Sequence, residues 1–256
     1  IPNGRYNKSG IPLQAWGGIY LKHCFDEVID RRKRDSVKYN EKFFASDVIP
    51  MWVADSDFKA PEEVVSALSS RAEHGIYGYT PESPQLKAAV AQWLSKRHGL
   101  RIDKSLVYYC PGVIPGIVYG IRAFSSPGDG VIIQTPCYPP FVQSVERNAR
   151  QVKRNPLILK NGHYEIDFDG FEELCRQDEN KLFILCNPQN PTGRVFTLQE
   201  LFRMSEICHK YNVVILSDEI HSDIVYSGQK HIPFSSVSPQ AAENSVTFMA
   251  ASKTFN

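Results

Sequence analysis

The sequence predicts an α/β fold: an open, mainly parallel sheet with helices on both faces. Two observations carry that expectation. Short apolar, β-branched runs recur from residue 106 onward, and amphipathic helical patterns separate most of them. A strand that is apolar at every position has no wet face, so it belongs in a sheet covered on both sides. A third observation narrows the choice, because no internal repeat or low-complexity tract points to a solenoid or a linker.

In chain order, residues 1–24 are rich in Gly, Pro and Asn and lack periodicity, which suggests an extended arm or a leader. Residues 25–60 form an N-terminal segment, and 61–256 read as one major domain. Pro61 opens a helix in which Val64, Val65 and Leu68 recur at helical spacing through Arg71. A second helix runs from about Pro84 to His98, with Leu86, Val90, Trp93 and Leu94 as its apolar face, and stops at Gly99. Strands are expected at 106–109, 131–133, 182–185, 213–216 and 246–249. Helices are expected near 113–124, 139–149, 168–177 and 197–211. The chain does not begin with Met and ends three residues past Lys253, so it reads as a fragment, or a partial record, of a longer protein.

Composition bounds the function. Lys and Arg total 29 against 28 Asp and Glu, so no strong field recruits nucleic acid or an anionic membrane. The basic run Arg31-Arg32-Lys33-Arg34, flanked by Asp30 and Asp35, reads as a solvated helix face. Six cysteines form no CxxC pair, and Cys110 and Cys186 end apolar runs. That pattern fits buried free thiols in a reducing, cytoplasmic setting better than a disulfide framework or a zinc site. No apolar stretch reaches membrane-spanning length. Asn7-Lys8-Ser9 matches the glycosylation pattern, and chance explains it here.

Open α/β sheets place ligands just beyond the carboxyl ends of their strands, and each expected strand here ends in unusual residues. They are Cys110-Pro111-Gly112, Thr135 to Pro140, Asn187 to Gly193, Ser217 to His221, and Lys253. Gly112 followed by helical Val113 and Ile114 offers bare backbone N–H groups to a phosphate. Tyr138 could stack on a planar ring, and Asp218 could pair with a protonated pyridine nitrogen. Taken singly these are a helix junction, a core aromatic and a helix cap. The loop Asn187-Pro188-Gln189-Asn190-Pro191-Thr192-Gly193 is more specific. Its composition demands a fixed backbone, which a cis bond at Asn190-Pro191 would supply, leaving Asn190 to donate to a phenolate-like oxygen. A lysine at the end of a buried strand is costly to desolvate, and Schiff-base formation with an aldehyde cofactor gives Lys253 a chemical reason to sit there.

Asn190-Pro191-Thr192-Gly193, Asp218-Glu219-Ile220-His221 and Ser252-Lys253 together resemble the signature of fold-type I pyridoxal-phosphate enzymes, the aspartate aminotransferase superfamily. Within it, Ile49 to Phe58 (IPMWVADSDF) and Ser252-Lys253-Thr254-Phe255-Asn256 resemble the cystathionine β-lyase branch often called MalY/PatB. The resemblance runs from about Phe25 to the end. It implies that Lys253 holds pyridoxal 5′-phosphate covalently, that Asp218 pairs with the pyridine nitrogen and Asn190 with the ring oxygen. Tyr138 and Ile220 would cover the two ring faces, with His221 close by. Gly112, Val113 and Ile114 would hold the phosphate, with Ser252 nearby. Tyr79 would reach the phosphate of a neighbouring subunit, so a homodimer is implied.

Three departures from the wider family stand out. His221 replaces the Tyr that many relatives carry three residues after the Asp, as the lyase branch would have it. Ala250 stands where many use Ser or Thr for phosphate. The small C-terminal domain and its carboxylate-binding arginine, which the resemblance implies, would lie beyond Asn256. The function implied is C–S β-lysis of cystathionine-like or cysteine-conjugate amino acids, giving a thiol, pyruvate and ammonia. Alternatives are an aminotransferase that uses the same lysine, or a non-catalytic cofactor-binding or regulatory fragment. A nicotinamide-binding protein is disfavoured because no Gly-x-Gly-x-x-Gly follows a strand.

Overall fold

The structure, a computed structural model, describes residues 25–32, 36–40, 45 and 47–256. The extension over 1–24, with the Asn7 sequence and Cys24, lies outside the described residues, as do Lys33 and Arg34 of the basic run. The described chain forms two compact units, one of residues up to Ile76 together with Phe255 and Asn256, the other spanning Tyr77–Thr254.

In the first unit, α1 (Glu62–His74) follows the course expected from Pro61. Glu62 and Glu63 lie in its positive first turn, and Gly75 closes it at φ +71°. The basic run departs from expectation, since Arg31 and Arg32 are not helical and Arg31 is not simply solvated. Its guanidinium bridges Asp55 at 2.6 Å and Asp57 at 2.7 Å, while the buried Lys38 Nζ reaches Asp57 at 2.6 Å. Arg31 hydrogen-bonds the Asp55 carboxyl and holds it below the usual carboxylate range. The Ala54-Asp55-Ser56-Asp57 stretch is therefore a two-cation clamp. Asn256 pins the same stretch: its Nδ2 donates to the Ser56 and Phe58 carbonyls at 3.3 and 3.2 Å.

The second unit is built on a wholly parallel five-stranded sheet. Its strands are β1 (Gly130–Thr135), β2 (Gln151–Pro156), β5 (Asn180–Cys186), β6 (Val214–Asp218) and β7 (Ser245–Phe248), in the order β2-β1-β5-β6-β7. Alternate residues of the central strands face two separate cores. Val131, Ile133, Leu182, Ile184 and Leu216 pack with α3 (Val113–Phe124) and α4 (Pro139–Glu146). Ile132, Phe183, Leu185 and Ile215 pack with α5 (Phe168–Arg176) and α6 (Leu198–Lys210) on the other face. Helices on both faces are thus the observed architecture. Residues 0–2% exposed, such as Ile117, Phe141, Phe171 and Leu201, each contribute about 1.5–3 kcal/mol by leaving water.

Local signals explain most boundaries. Ser83 caps α2 (Pro84–His98), accepting from Leu86 N at 3.2 Å, and Gly99 ends it at φ +73°. Thr197 and Glu200 form a capping box on α6. α4 stops at Glu146, short of the expected 149, where the chain turns and Ala149 takes φ +59°.

Other elements depart from expectation. Residues 107–109, expected as a strand, follow a 3₁₀ turn at Lys104–Leu106 and join no sheet among the described residues. Leu106, Tyr108 and Tyr109 are exposed, and no strand among the described residues pairs with them. Conversely, β2 was invisible as a strand because it is an edge strand with a polar sequence, QVKRNP. The hairpin of β3 (Ile158–Lys160) and β4 (His163–Glu165), turning at Asn161 and Gly162, was also unforeseen, as was the short α7 (Pro239–Glu243). No helix among the described residues is long and apolar enough to cross a membrane. The five described cysteines are free, with Cys175, Cys186 and Cys208 buried.

Candidate active site

The carboxyl ends of β5, β6 and β7 finish level. Asp218 stands opposite Cys186 on one side and Phe248 on the other. Beyond β7, α8 (Ser252–Phe255) carries Lys253. Three strand ends, with α8 beyond the last, therefore lie side by side where a parallel sheet presents its ligands.

Asp218 is the electrostatic centre. It is 4% exposed, and Oδ1 accepts a hydrogen bond from Ile220 N at 3.1 Å. No cation pairs with it among the described residues. Burial pushes its pKa from 3.8 up to about 6, with the Ile220 N–H opposing and Glu219 adding to the rise. A buried carboxylate in that position lacks a positive partner, which a protonated ring nitrogen would supply. Ile220 packs against the α3-side core, so its apolar body is available to a ring while its N–H serves Asp218.

α3 reaches this edge because of two glycines. A Cβ on Gly116 would lie 2.8 Å from Phe248 Cδ1, and one on Gly120 would lie 2.7 Å from Leu216 Cδ2. One bare turn of helix thus settles directly on β6 and β7. Gly112, at the N-cap with φ +134° and no side-chain cap, leaves the first-turn N–H groups of Val113 and Ile114 pointing out of the helix start. An anion at this end would meet a partial positive charge.

The Asn187–Gly193 loop is fixed from within. Gln189 Nε2 donates to Pro136 O at 2.7 Å, tying the loop to the turn before Tyr138. Its Oε1 accepts from Thr192 N at 2.8 Å and Thr192 Oγ1 at 2.6 Å. Arg194 anchors the exit through Glu200, at 2.8 Å to each carboxylate oxygen. Asn190-Pro191 is cis, as are Asn187-Pro188 and Thr135-Pro136. Tyr138 stands at the N-cap of α4 and meets Phe141 edge-to-face at 5.7 Å, the residue 39% exposed.

His221 is half-buried. Desolvation first, and the Lys253 ammonium second, push its imidazole below the usual value, so it is neutral at physiological pH. Ala250 packs against the apolar core and Ser252 is exposed at the start of α8. Tyr79 is fully exposed in the loop before α2. Gln189 was overlooked in the sequence. Its signal was a polar residue between two prolines, in a loop that needs internal bracing.

The cluster can seat a planar cationic ring over a buried carboxylate, a phosphate at a helix start and an amine-reactive carbonyl near Lys253. Pyridoxal 5′-phosphate has those three parts, and the residues present fit it.

Comparison with known proteins agrees. Residues 46–256 match the family described as aminotransferase class I and II. The cystathionine beta-lyase PatB of Bacillus subtilis (strain 168) is 44% identical over 235 residues, covering 91% of this chain and 61% of that protein. Protein MalY of Escherichia coli (strain K12) is 35% identical, covering 91% and 60%. The crystal structure of cystalysin from Treponema denticola, described as containing a pyridoxal 5′-phosphate cofactor, superposes with a TM-score of 0.86. It is 35% identical and is matched over 91% of this chain and 61% of its own. The chain thus spans about 60% of the length of the relatives it matches.

Proposed function

This chain belongs to the aminotransferase class I and II family, and from that premise we propose that its protein is a pyridoxal-phosphate-dependent C–S β-lyase. Its substrates would be cystathionine-like or cysteine-conjugate amino acids, cleaved to a thiol, pyruvate and ammonia. The observation that carries the reading is Asp218: a buried carboxylate without a paired cation among the described residues, at the carboxyl end of β6. Bound there, pyridoxal 5′-phosphate supplies an electron sink for the charge released at the substrate's α-carbon.

The chain's own residues do the rest. Asp218 would keep a proton on the pyridine nitrogen, at the cost of its own burial. Asn190 would donate to the ring oxygen from a loop that Gln189 braces. Tyr138 and Ile220 would cover the ring, and the N–H groups after Gly112 with the Ser252 hydroxyl would hold the phosphate. Lys253 would anchor the cofactor and, once free of it, would serve as general base for the substrate's α-proton. Neutral His221 stays beside it without adding charge. Loss of the thiolate from Cβ follows removal of that proton.

Two further points belong to this reading. Exposed Tyr77 and Tyr79 support a homodimer in which Tyr79 enters the neighbouring site. Five free thiols support a reducing, cytoplasmic location.

The test is turnover of cystathionine by the whole cofactor-loaded protein, with borohydride reduction mapped by mass spectrometry. Pyruvate release and a pyridoxyl adduct on Lys253 are expected, both lost in Lys253→Ala. Stoichiometric keto-acid-dependent amino transfer without pyruvate would instead make it an aminotransferase. A protein that takes up no cofactor would sink both.

A further inference from the structure

The seat of Lys253 is a helix of four residues, α8, too short to hold its own geometry. What fixes it is the next residue. Thr254 Oγ1 donates to Asp223 Oδ2 at 3.0 Å, across 31 residues of chain. Asp223 is itself held. Its side chain is 9% exposed, and Oδ1 accepts from His98 Nε2 at 3.0 Å. Trp93 Nε1 lies 3.2 and 3.1 Å from its two oxygens, and Arg97 Nε 3.5 Å from Oδ1. Three residues from the last two turns of α2 thus clamp one carboxylate, and that carboxylate clamps α8.

The brace continues toward the cofactor carboxylate. The rings of His98 and His231 meet edge-to-face at 5.3 Å. His231 Nε2 lies 2.9 Å from Glu219 Oε2, and Glu219 also accepts from Phe234 N at 2.8 Å and Ser217 Oγ at 3.1 Å. Glu219 and His231 are fully buried. Each of the two residues proposed to work on the cofactor therefore has an immobilised neighbour: Glu219 after Asp218, Thr254 after Lys253. One polar chain joins them through α2.

We propose that Asp223, acting through Thr254, is a positioning residue that sets the reach of the Lys253 amine, with Trp93 and His98 as its supports. The inference rests on the reading of Lys253 given above. It assigns Asp223 no contact with substrate or cofactor. A carboxylate saturated by donors from a distant helix holds one rotamer, and so transmits the rigidity of α2 to a short helix that has little of its own.

Thr254→Val removes the hydroxyl at nearly constant shape, and Thr254→Ser keeps it. In the whole protein, T254V is expected to lower kcat about tenfold with KM changed less than about twofold, the signature of misplacement rather than lost binding. It is also expected to slow, by about fivefold, the rise of the visible band when cofactor-free protein is mixed with pyridoxal phosphate. T254S should recover most of both. D223N, the second variant, should reproduce the T254V pattern. Equal rates of band formation in T254V and the parent, or equal impairment in T254S and T254V, would overturn the clamp. A parent in which borohydride fixes nothing at Lys253 overturns the functional reading and the clamp with it.

Discussion

Asp218→Asn in the cofactor-free protein should stabilise the fold, and by an amount that depends on pH. The carboxyl is almost wholly buried with one hydrogen bond and no cation, and its pKa stands at about 6 against 3.8 unperturbed. A folded-state value above the unfolded one means that the folded chain holds the proton more tightly. The stability this group contributes is complete below about pH 3.8 and is lost as pH rises through about 6. The full loss is about 3 kcal/mol, from roughly 1.36 kcal/mol per unit. Asparagine has the shape of the protonated acid and never ionises, so it escapes that loss. Urea unfolding of both proteins should show D218N ahead by about 1.5 kcal/mol near pH 5 and about 3 kcal/mol near pH 7.5, as an upper bound. The same variant should bind pyridoxal phosphate more weakly, since the carboxylate's cost without a ligand is what a ring cation offsets. A stability difference that does not change with pH, or a D218N less stable throughout, would refute the reasoning.

Two further outcomes follow from packing. Gly116→Ala places a methyl 2.8 Å from Phe248 and 3.0 Å from Cys110 Sγ, so α3 must lift from β7. A loss of about 1–3 kcal/mol is expected in thermal unfolding, with weaker retention of cofactor phosphate. Gln189→Ala removes the tie to Pro136 and the bonds to Thr192. It should cost about 1–3 kcal/mol and shift the visible spectrum of the loaded protein, because Asn190 would no longer be held.

Much of the site was legible because its constraints are local in sequence. A loop with two prolines and two asparagines needs a fixed backbone wherever it sits, and Asn190-Pro191 is cis as its composition suggested. Gly112 could be read as a helix start, since the helix pattern begins immediately after it. Asp218 and Lys253 were legible as polar residues that end apolar runs. The expected strand at 106–109 failed for the complementary reason. An apolar, aromatic run satisfies the pattern of a strand, but pairing is a property of two segments and no partner is present among the described residues. β2 escaped notice because an edge strand needs only one neighbour and little apolar surface.

The sequence by itself determined the sheet's class, the order of most helices and strands, and the residue types gathered at the strand ends. Periodicity and punctuation encode these within a dozen residues. Only the tertiary structure decided which residues support that chemistry. His98 meets Asp223 across 125 positions, and Arg31 finds Asp55 across 24, in pairings that no local pattern announces. It also decided the charge state of Asp218, because a carboxyl's pKa is set by the water removed around it and by the partner it lacks. Burial and pairing are made when separate elements pack together, so they belong to the fold and not to any stretch of chain.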